Sequence, residues 1–274
     1  MTAEPAFRDI SRPPATVGTR PPPRRPDRAA VHRPASVEHP LLRAHGGLLT
    51  VESLGTVEYE PAWQLQDELA RQRRERRIGD RLLLLEHFPV YTIGRGGNAA
   101  NLLASPARLR ELGATFHRID RGGDITFHGP GQLVAYPIVE LHDPLDLRRY
   151  VRTLEAAIIA AAARFDVVAD RVEGLPGVWV GGERKLAAIG VRVRRGVTTH
   201  GLALNVSTDL RWFDEMIACG LPGKAATSLA AESGQRIEMA DVEEVLATEL
   251  ASHLGLRLDG RLEAPAGPAG AREQ

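Results

Sequence analysis

The stretch Lys185-Leu186-Ala187-Ala188-Ile189-Gly190-Val191-Arg192-Val193-Arg194-Arg195-Gly196-Val197-Thr198-Thr199-His200-Gly201-Leu202-Ala203-Leu204-Asn205 decides the fold. Two runs rich in aliphatic and β-branched residues, Lys185 to Val193 and Thr198 to Asn205, flank Arg195-Gly196, a pair suited to a tight hairpin turn. Strands joined so closely pair antiparallel. Gly177 to Val180 supplies a third strand just upstream. Consecutive strands of this kind predict a mixed, largely antiparallel sheet.

Working outward, Leu147 to Phe165 reads as an alanine-rich helix with Asp146 placed to cap it. Leu133 to Val139 is a strand interrupted by Pro137, which predicts an edge or a bend there. Thr115 to Ile119 and Leu48 to Glu52 are short strands, and Asp80 to Glu86, centred on four leucines, is a buried one. Ala62 to Arg77 is a charged helix with Leu65 and Leu69 four apart on its inner side. Beyond the hairpin, Trp212 to Ile217 reads as a short helix and Asp241 to Leu254 as a closing one. The whole is an α/β (α+β) single domain over 41–260, a mixed sheet with flanking helices, and it contains no internal repeat.

The first forty residues differ. They hold nine prolines, scattered arginines and little aliphatic content, so 1–40 is expected to be a disordered extension. An organelle transit peptide is the alternative for an arginine-rich, acid-poor start, and the proline density argues against it. The Ala/Gly/Pro-rich tail, 261–274, is expected to be disordered too. With 43% hydrophobic and 26% charged residues the chain can build a sizeable core. Lys+Arg and Asp+Glu are both 35, which gives no basic excess for a nucleic-acid partner. A single cysteine precludes an intramolecular disulfide and suits a reducing compartment. No apolar run is long enough to span a bilayer and no secretory core is present, so the expected location is the cytoplasm.

Four segments carry more glycine, histidine and isolated polar residues than a core needs. The first is Arg121-Gly122-Gly123-Asp124-Ile125-Thr126-Phe127-His128-Gly129-Pro130-Gly131-Gln132, read as a loop whose glycines let a ligand lie against main-chain N–H groups; a pair of tight turns joining two strands would use the same glycines. The second runs from Gly181 to Gly190 and sets Lys185 at the start of an apolar strand, where desolvation disfavours its charge; a solvated strand-end lysine is the plainer alternative. The third, Thr199 to Asn205, opens with His200-Gly201, and such a histidine is more often a structural hydrogen-bonder than a catalyst. The fourth, Ile217-Ala218-Cys219-Gly220-Leu221-Pro222, puts the only thiol on a turn. Most free cysteines are inert; a reactive one needs partial exposure and a nearby cation.

In this order, Arg-Gly-Gly-Asp-Ile-Thr-Phe-His-Gly-Pro-Gly-Gln-Leu, Arg-Lys-Leu-Ala-Ala-Ile-Gly-Val, Thr-His-Gly-Leu-Ala-Leu-Asn-Val and Ala-Cys-Gly-Leu resemble the signature blocks of the lipoyl(octanoyl) transferase family over roughly Leu48 to Leu254. The resemblance implies a fold similar to the catalytic domain of biotin and lipoate protein ligases. It also implies transfer of an octanoyl group from octanoyl-acyl carrier protein to a lysine of a lipoyl domain. The implied acceptors are the lipoyl domains of 2-oxoacid dehydrogenase complexes and the glycine cleavage H protein. Cys219 matches the acyl-thioester nucleophile and Lys185 the lysine that lowers its pKa and shuttles protons. Arg121, Gly122, Gly123, Asp124, Ile125, Thr126, Phe127 and His128 match a substrate-binding stretch, as do Ala188, Ile189, Gly190, Gly201, Leu202 and Ala203. Thr227-Ser228-Leu229 resembles the downstream block, and the extension before residue 41 has no counterpart in the family pattern.

Neither a cofactor nor a metal is expected, because the histidines show no metal-ligand spacing. Leu186, Ile189, Leu202 and Leu204 are candidates to line an acyl slot, and Arg148, Arg149, Arg192, Arg194 and Arg195 to form a docking rim, although a charge run is usually a solvated face. Two rival readings predict different chemistry. An ATP-dependent ligase on the same fold would need ATP and no cysteine, and a silent carrier-binding module would never acylate Cys219. The 33 residues between Lys185 and Cys219 permit contact without requiring it.

Overall fold

The computed structural model describes residues 41–42, 47–217 and 224–259. The expected terminal segments 1–40 and 261–274 lie outside these residues, and so does Cys219. Strand β1 (Leu48–Val57) leads through helix α1 (Tyr59–Arg74) to β2 (Asp80–His87), which pairs parallel to β1. Then come β3 (Val90–Ile93), helix α2 (Pro106–Leu112), β4 (Thr115–Arg118), β5 (Ile125–His128) and β6 (Gln132–Ile138). Helix α3 (Leu147–Ala163) precedes β7 (Asp170–Val172), β8 (Leu175–Val180), β9 (Arg184–Arg194) and β10 (Val197–Asn205). A 3-10 turn (Leu210–Glu215), β11 (Ala225–Ala226), helices α4 (Leu229–Ser233) and α5 (Met239–Leu254), and β12 (Arg257–Leu258) close the described chain. Among the described residues, no helix is long and apolar enough to cross a membrane.

The large sheet runs β12-β1-β2-β6-β10-β9-β8-β7, with β11 beside β9, and β4-β3-β5 form a smaller one. The four leucines of β2 explain the layering. Leu82 and Leu84 join the core that α3 and α5 close, while Leu83 and Leu85 join the one beneath α1, and all four are fully buried. A strand packed on both faces has to be apolar on both. In α3, Leu154, Ala157, Ile158 and Ala161 recur at helical spacing on one buried stripe. The deciding hairpin forms as expected: Arg194 pairs with Val197, and Arg195 (φ 52) and Gly196 (φ 86) both take the left-handed conformation of a two-residue turn.

Four expectations need correction. Pro137 sits in β6, a central strand between β2 and β10. It is tolerated because the regular β6–β10 ladder stops at Leu202↔Ala135; beyond His200, with φ 57, contact resumes only where Thr198 N donates to Val139 O at 2.9 Å. Asp146 occupies the N-terminal cap of α3, but its ψ of 38 departs from the extended geometry of a capping residue and its side chain makes no capping bond. The helix expected over Ala62 to Arg77 starts at Tyr59 and ends at Arg74, with Arg76 already left-handed (φ 58). Finally, Ile125 to His128 is strand rather than loop, because β3 pairs with it antiparallel from Val90↔His128 to Ile93↔Ile125.

Candidate active site

The site begins with four residues that have almost no side chain. On β9 and β10, Gly190 pairs with Gly201 and Ala188 with Ala203, which leaves a shallow floor along the sheet. At Gly201 a Cβ would run into the Ala135 carbonyl oxygen and lie 2.8 Å from the Pro137 Cδ, so only glycine fits. The small sheet roofs this floor through β5. Two adjoining pockets result and share Thr126, Ala188 and Ala203. One, of about 450 Å³, is walled by Ile125, Trp179, Lys185, Phe213, Met216 and Lys224. The other, of about 360 Å³, is lined by Tyr59, Arg121, His128, Tyr136 and His200.

Lys185 reaches the first pocket from β9. Its backbone is held on both sides, by Trp179 of β8 and Ala226 of β11, and its carbonyl accepts from Thr227 N at 2.9 Å. The ammonium lies 4.8 Å from the centroid of the buried Trp179 ring. Such a cation–π contact helps to hold the charge beside the apolar side chains of Ile125, Phe213 and Met216. Gly177 (φ 113) makes room for it, since a Cβ there would come within 3.2 Å of Lys185 Cε. A second lysine, Lys224, lines the same pocket and donates to the Gly182 carbonyl at 3.0 Å.

The second pocket carries the buried polar side chains Arg121, His128 and His200. Arg121 donates through Nη2 to the Thr92 carbonyl at 2.8 Å and through Nη1 to Gly122 O at 2.9 Å, while Gly122 N donates to Val191 O at 3.0 Å. These bonds sew the glycine-rich turn onto β9. His200 Nε2 meets Asp120 Oδ1 at 2.9 Å, and Arg192 pairs with the other oxygen of Asp120; the bond from His200 and the nearby guanidinium lower the Asp120 pKa. His87 Nδ1 donates to the Val57 carbonyl at 2.9 Å, so in the neutral ring its Nε2 accepts from the Tyr136 hydroxyl at 2.8 Å. Burial pushes the pKa of His87 down to about 4 and raises the phenols of Tyr59 and Tyr136.

A pH dependence of stability follows. The folded pKa of His87, about 4, lies below its ordinary 6.5, so the unfolded chain binds the proton more readily. Stability is complete above 6.5 and falls as pH drops through the window from 6.5 to 4. His87→Asn is expected to remove about 2 kcal/mol of the stability difference between pH 7 and pH 5. Urea unfolding at the two pH values measures this, and an unchanged difference would rule out His87 as its source.

The expected site residues divide. Arg121, Ile125, Thr126, His128, Ala188, Ile189, Gly190, Gly201, Leu202, Ala203 and Lys185 line the two pockets. Gly122, Gly123, Asp124 and Phe127 do not. Asp124 accepts from Asn101 Nδ2 at 2.5 Å and Asn98 N at 3.0 Å, and Phe127 is buried against Trp212 at 4.8 Å. Of the four candidate slot residues, Ile189 and Leu202 line the second pocket, and Leu186 and Leu204 belong to the core. The sequence reading passed over Tyr59, His87, Tyr136, Trp179 and Lys224. Only Lys224 offered a local signal, five residues after the lone cysteine.

Comparison with known proteins agrees with this architecture. The sequence profile of the lipoyl protein ligase A/B catalytic domain matches residues 58–251. An octanoyltransferase of Chloroflexus aggregans is 47% identical over 212 residues, which covers 76% of this chain and 96% of that protein. One from Bacteroides fragilis is 47% identical over 209 residues, or 72% and 94% of the two chains. Among solved structures, a bi-partite lipoate protein ligase from Thermoplasma acidophilum superposes with a TM-score of 0.62 at 18% identity, over 79% of this chain and 86% of that one. A lipoate-protein ligase A bound with ATP gives 0.60 at 16% identity, over 79% and 88%. At such identities the structural likeness speaks for the fold, whereas the sequence matches go further. The profile match over residues 58–251, and relatives aligned almost end to end, place the chain in the lipoyl protein ligase A/B catalytic domain family.

Proposed function

We propose that this chain is an octanoyltransferase of protein lipoylation, which takes an octanoyl group from octanoyl-acyl carrier protein onto Cys219 and passes it to a lysine of a lipoyl domain. The observation that carries this reading is the site of Lys185, an ammonium set in the wall of a largely apolar pocket whose floor is the small pair Ala188 and Ala203. The catalytic domain is taken as 41–260, and the cytoplasm as its location.

In the first half-reaction the Cys219 thiolate attacks the donor's thioester carbon. An Sγ–C bond forms, the donor's S–C bond breaks, and the carrier thiol leaves with a proton. Donor and product are both thioesters, so the step is nearly balanced and needs no ATP. In the second, the acceptor lysine's nitrogen attacks the acyl carbon, the Sγ–C bond breaks, and the nitrogen's proton returns to sulfur. The amide product makes the transfer downhill. Lys185 favours the thiolate as a neighbouring cation and carries the proton in each direction. One main-chain N–H aimed at the oxyanion of each tetrahedral intermediate would contribute about 3 kcal/mol. Lipoyl domains of 2-oxoacid dehydrogenase complexes and the glycine cleavage H protein are the proposed acceptors. A basic end of the β9–β10 hairpin suits docking of acidic carriers: Arg194 and Arg195 are exposed there and, with Arg192, depress the pKa of Arg74, though burial contributes more.

Intact-protein mass spectrometry after incubation with octanoyl-acyl carrier protein and no ATP tests the reading. A hydroxylamine-sensitive octanoyl adduct is expected on the wild type and none on Cys219→Ala. Failure of the wild type to acquire it from an active donor would overturn the covalent route. The pocket makes a second prediction. Ala188→Leu would project a branched side chain from the floor shared by both pockets. It is expected to lower kcat/KM for octanoyl transfer about 10- to 100-fold, with butanoyl transfer much less affected, in line with one or two methylenes' worth of pocket. Equal losses for both chain lengths would place the acyl group elsewhere.

A further inference from the structure

His128 belongs to a directed chain of hydrogen bonds that begins at its ring and ends on the backbone. Its Nδ1 lies 2.7 Å from Gln132 Oε1, Gln132 Nε2 lies 2.9 Å from Asn205 Oδ1, and Asn205 Nδ2 lies 2.8 Å from the Thr227 carbonyl oxygen. Only the last contact has an unambiguous sense, and it orients all the others. A carbonyl oxygen can only accept, so Asn205 turns its amide nitrogen toward Thr227 and its oxygen toward Gln132. Gln132 must then donate to Asn205, which leaves its own oxygen facing His128. That oxygen also only accepts, so the proton of His128 sits on Nδ1. The links are buried: Gln132 is 2% exposed, Asn205 4% and Thr227 3%. Water therefore offers no cheap alternative partner, and reversing the chain would strand a donor or an acceptor.

The other ring nitrogen, Nε2, has no hydrogen-bond partner among the described residues, and the ring lines the second pocket. Tyr59 stacks alongside at 6.3 Å with an interplanar angle of 7°, and His87 lies 5.8 Å away, so the ring has little freedom to turn. Burial, reinforced by His87, Arg121 and His200, keeps the imidazole from charging. We propose that Gln132 and Asn205 are positioning residues that lock His128 as the Nδ1–H tautomer, so that its Nε2 lone pair accepts a hydrogen bond from an N–H group of the substrate. This rests on the acyl-transfer reading above. Two substrate groups share that chemistry, an amide N–H in the arm of the acyl donor and the amine of the acceptor lysine. A lone pair fixed in place distinguishes an N–H from a carbonyl, and the neighbouring Arg121, a donor only, does not provide one.

The test uses the full chain labelled with 15N-histidine, with the His128 resonances assigned by their loss in His128→Gln. Long-range 1H–15N correlation without substrate is expected to show a protonated Nδ1 and an unprotonated Nε2, and Gln132→Leu is expected to give a mixture of tautomers. Gln132→Met serves as a second, closer-sized variant if the leucine protein unfolds. In single-turnover assays the glutamine variants should slow one half-reaction at least tenfold. Slowed thioester formation identifies the donor arm as the N–H source, and slowed amide formation alone identifies the acceptor lysine. His128→Gln, whose amide oxygen can reach the position of Nε2, should retain more activity than His128→Leu. A protonated Nε2 in the wild type overturns the proposal, as does tautomer mixing in Gln132→Leu with both half-reactions within twofold of wild type. A wild type with the Nδ1–H tautomer but no octanoyl transfer would instead overturn the function assigned above.

Discussion

Lys185→Met is expected to lower the rate of octanoyl transfer about 10³-fold while the protein keeps its fold, the upper-middle range for loss of a positioned proton-transfer group. Methionine has nearly the length of the lysine stem and keeps apolar contact with Trp179 and the space left by Gly177, so packing is preserved and the charge alone is removed. The loss should appear in thioester formation, measured by single-turnover mass spectrometry with octanoyl-acyl carrier protein. Lys185→Arg would keep a cation but not a group able to give up its proton, so it should recover thiolate formation more than turnover. The pH profile of Cys219 alkylation reports the first of these separately, and it should move upward in the methionine variant and stay near wild type in the arginine one. An unchanged alkylation profile together with unchanged transfer would remove Lys185 from the chemistry.

Arg73→Ala should cost the most stability, about 3–5 kcal/mol, for a reason remote from the site. The Arg73 side chain is fully buried and bridges Asp80 at 2.7 Å and Glu140 at 2.8 Å. Those three residues tie the end of α1 to the start of β2 and to the segment after β6, where Glu140 bridges Val197 at the mouth of the hairpin. Removing the guanidinium takes a shared cation away from two carboxylates, one 1% and the other 14% exposed. The penalty is the loss of that cation beside buried charge rather than the worth of the ion pairs, so Arg73→Met combined with Asp80→Asn and Glu140→Gln should recover much of it. Urea denaturation of the single and triple variants measures both quantities. A single variant within about 1 kcal/mol of wild type would show that water or rearrangement relieves the charges.

Much of the fold was legible because it rests on local regularities. Four consecutive leucines in Asp80 to Glu86 can be satisfied only between two layers, and Arg195-Gly196 suits a two-residue turn at φ 52 and 86. The floor of the site was legible for a similar reason. Ala188, Gly190, Gly201 and Ala203 fall on alternate positions of strands joined by a short turn, so their pairing follows from the hairpin register. The strand Ile125 to His128 was harder to see. Its partner, Val90–Ile93, is four residues long and lies more than thirty residues upstream, and the glycines on either side of β5 read as turns.

The amino-acid sequence by itself determined the alternation of strands and helices, the antiparallel hairpin, and the glycine-rich block, lysine and lone cysteine that carry the family resemblance. Each is a property of neighbours along the chain, set by side-chain period, turn chemistry or residue type. Only the tertiary structure decided that Pro137 lies in a central strand beside Gly201, that Trp179 holds the ammonium of Lys185, and that Gln132 meets Asn205 across 73 residues to orient His128. Those contacts depend on strand order and on which small sheet covers which face. Local periodicity says which side of a strand is buried and is silent about what it is buried against.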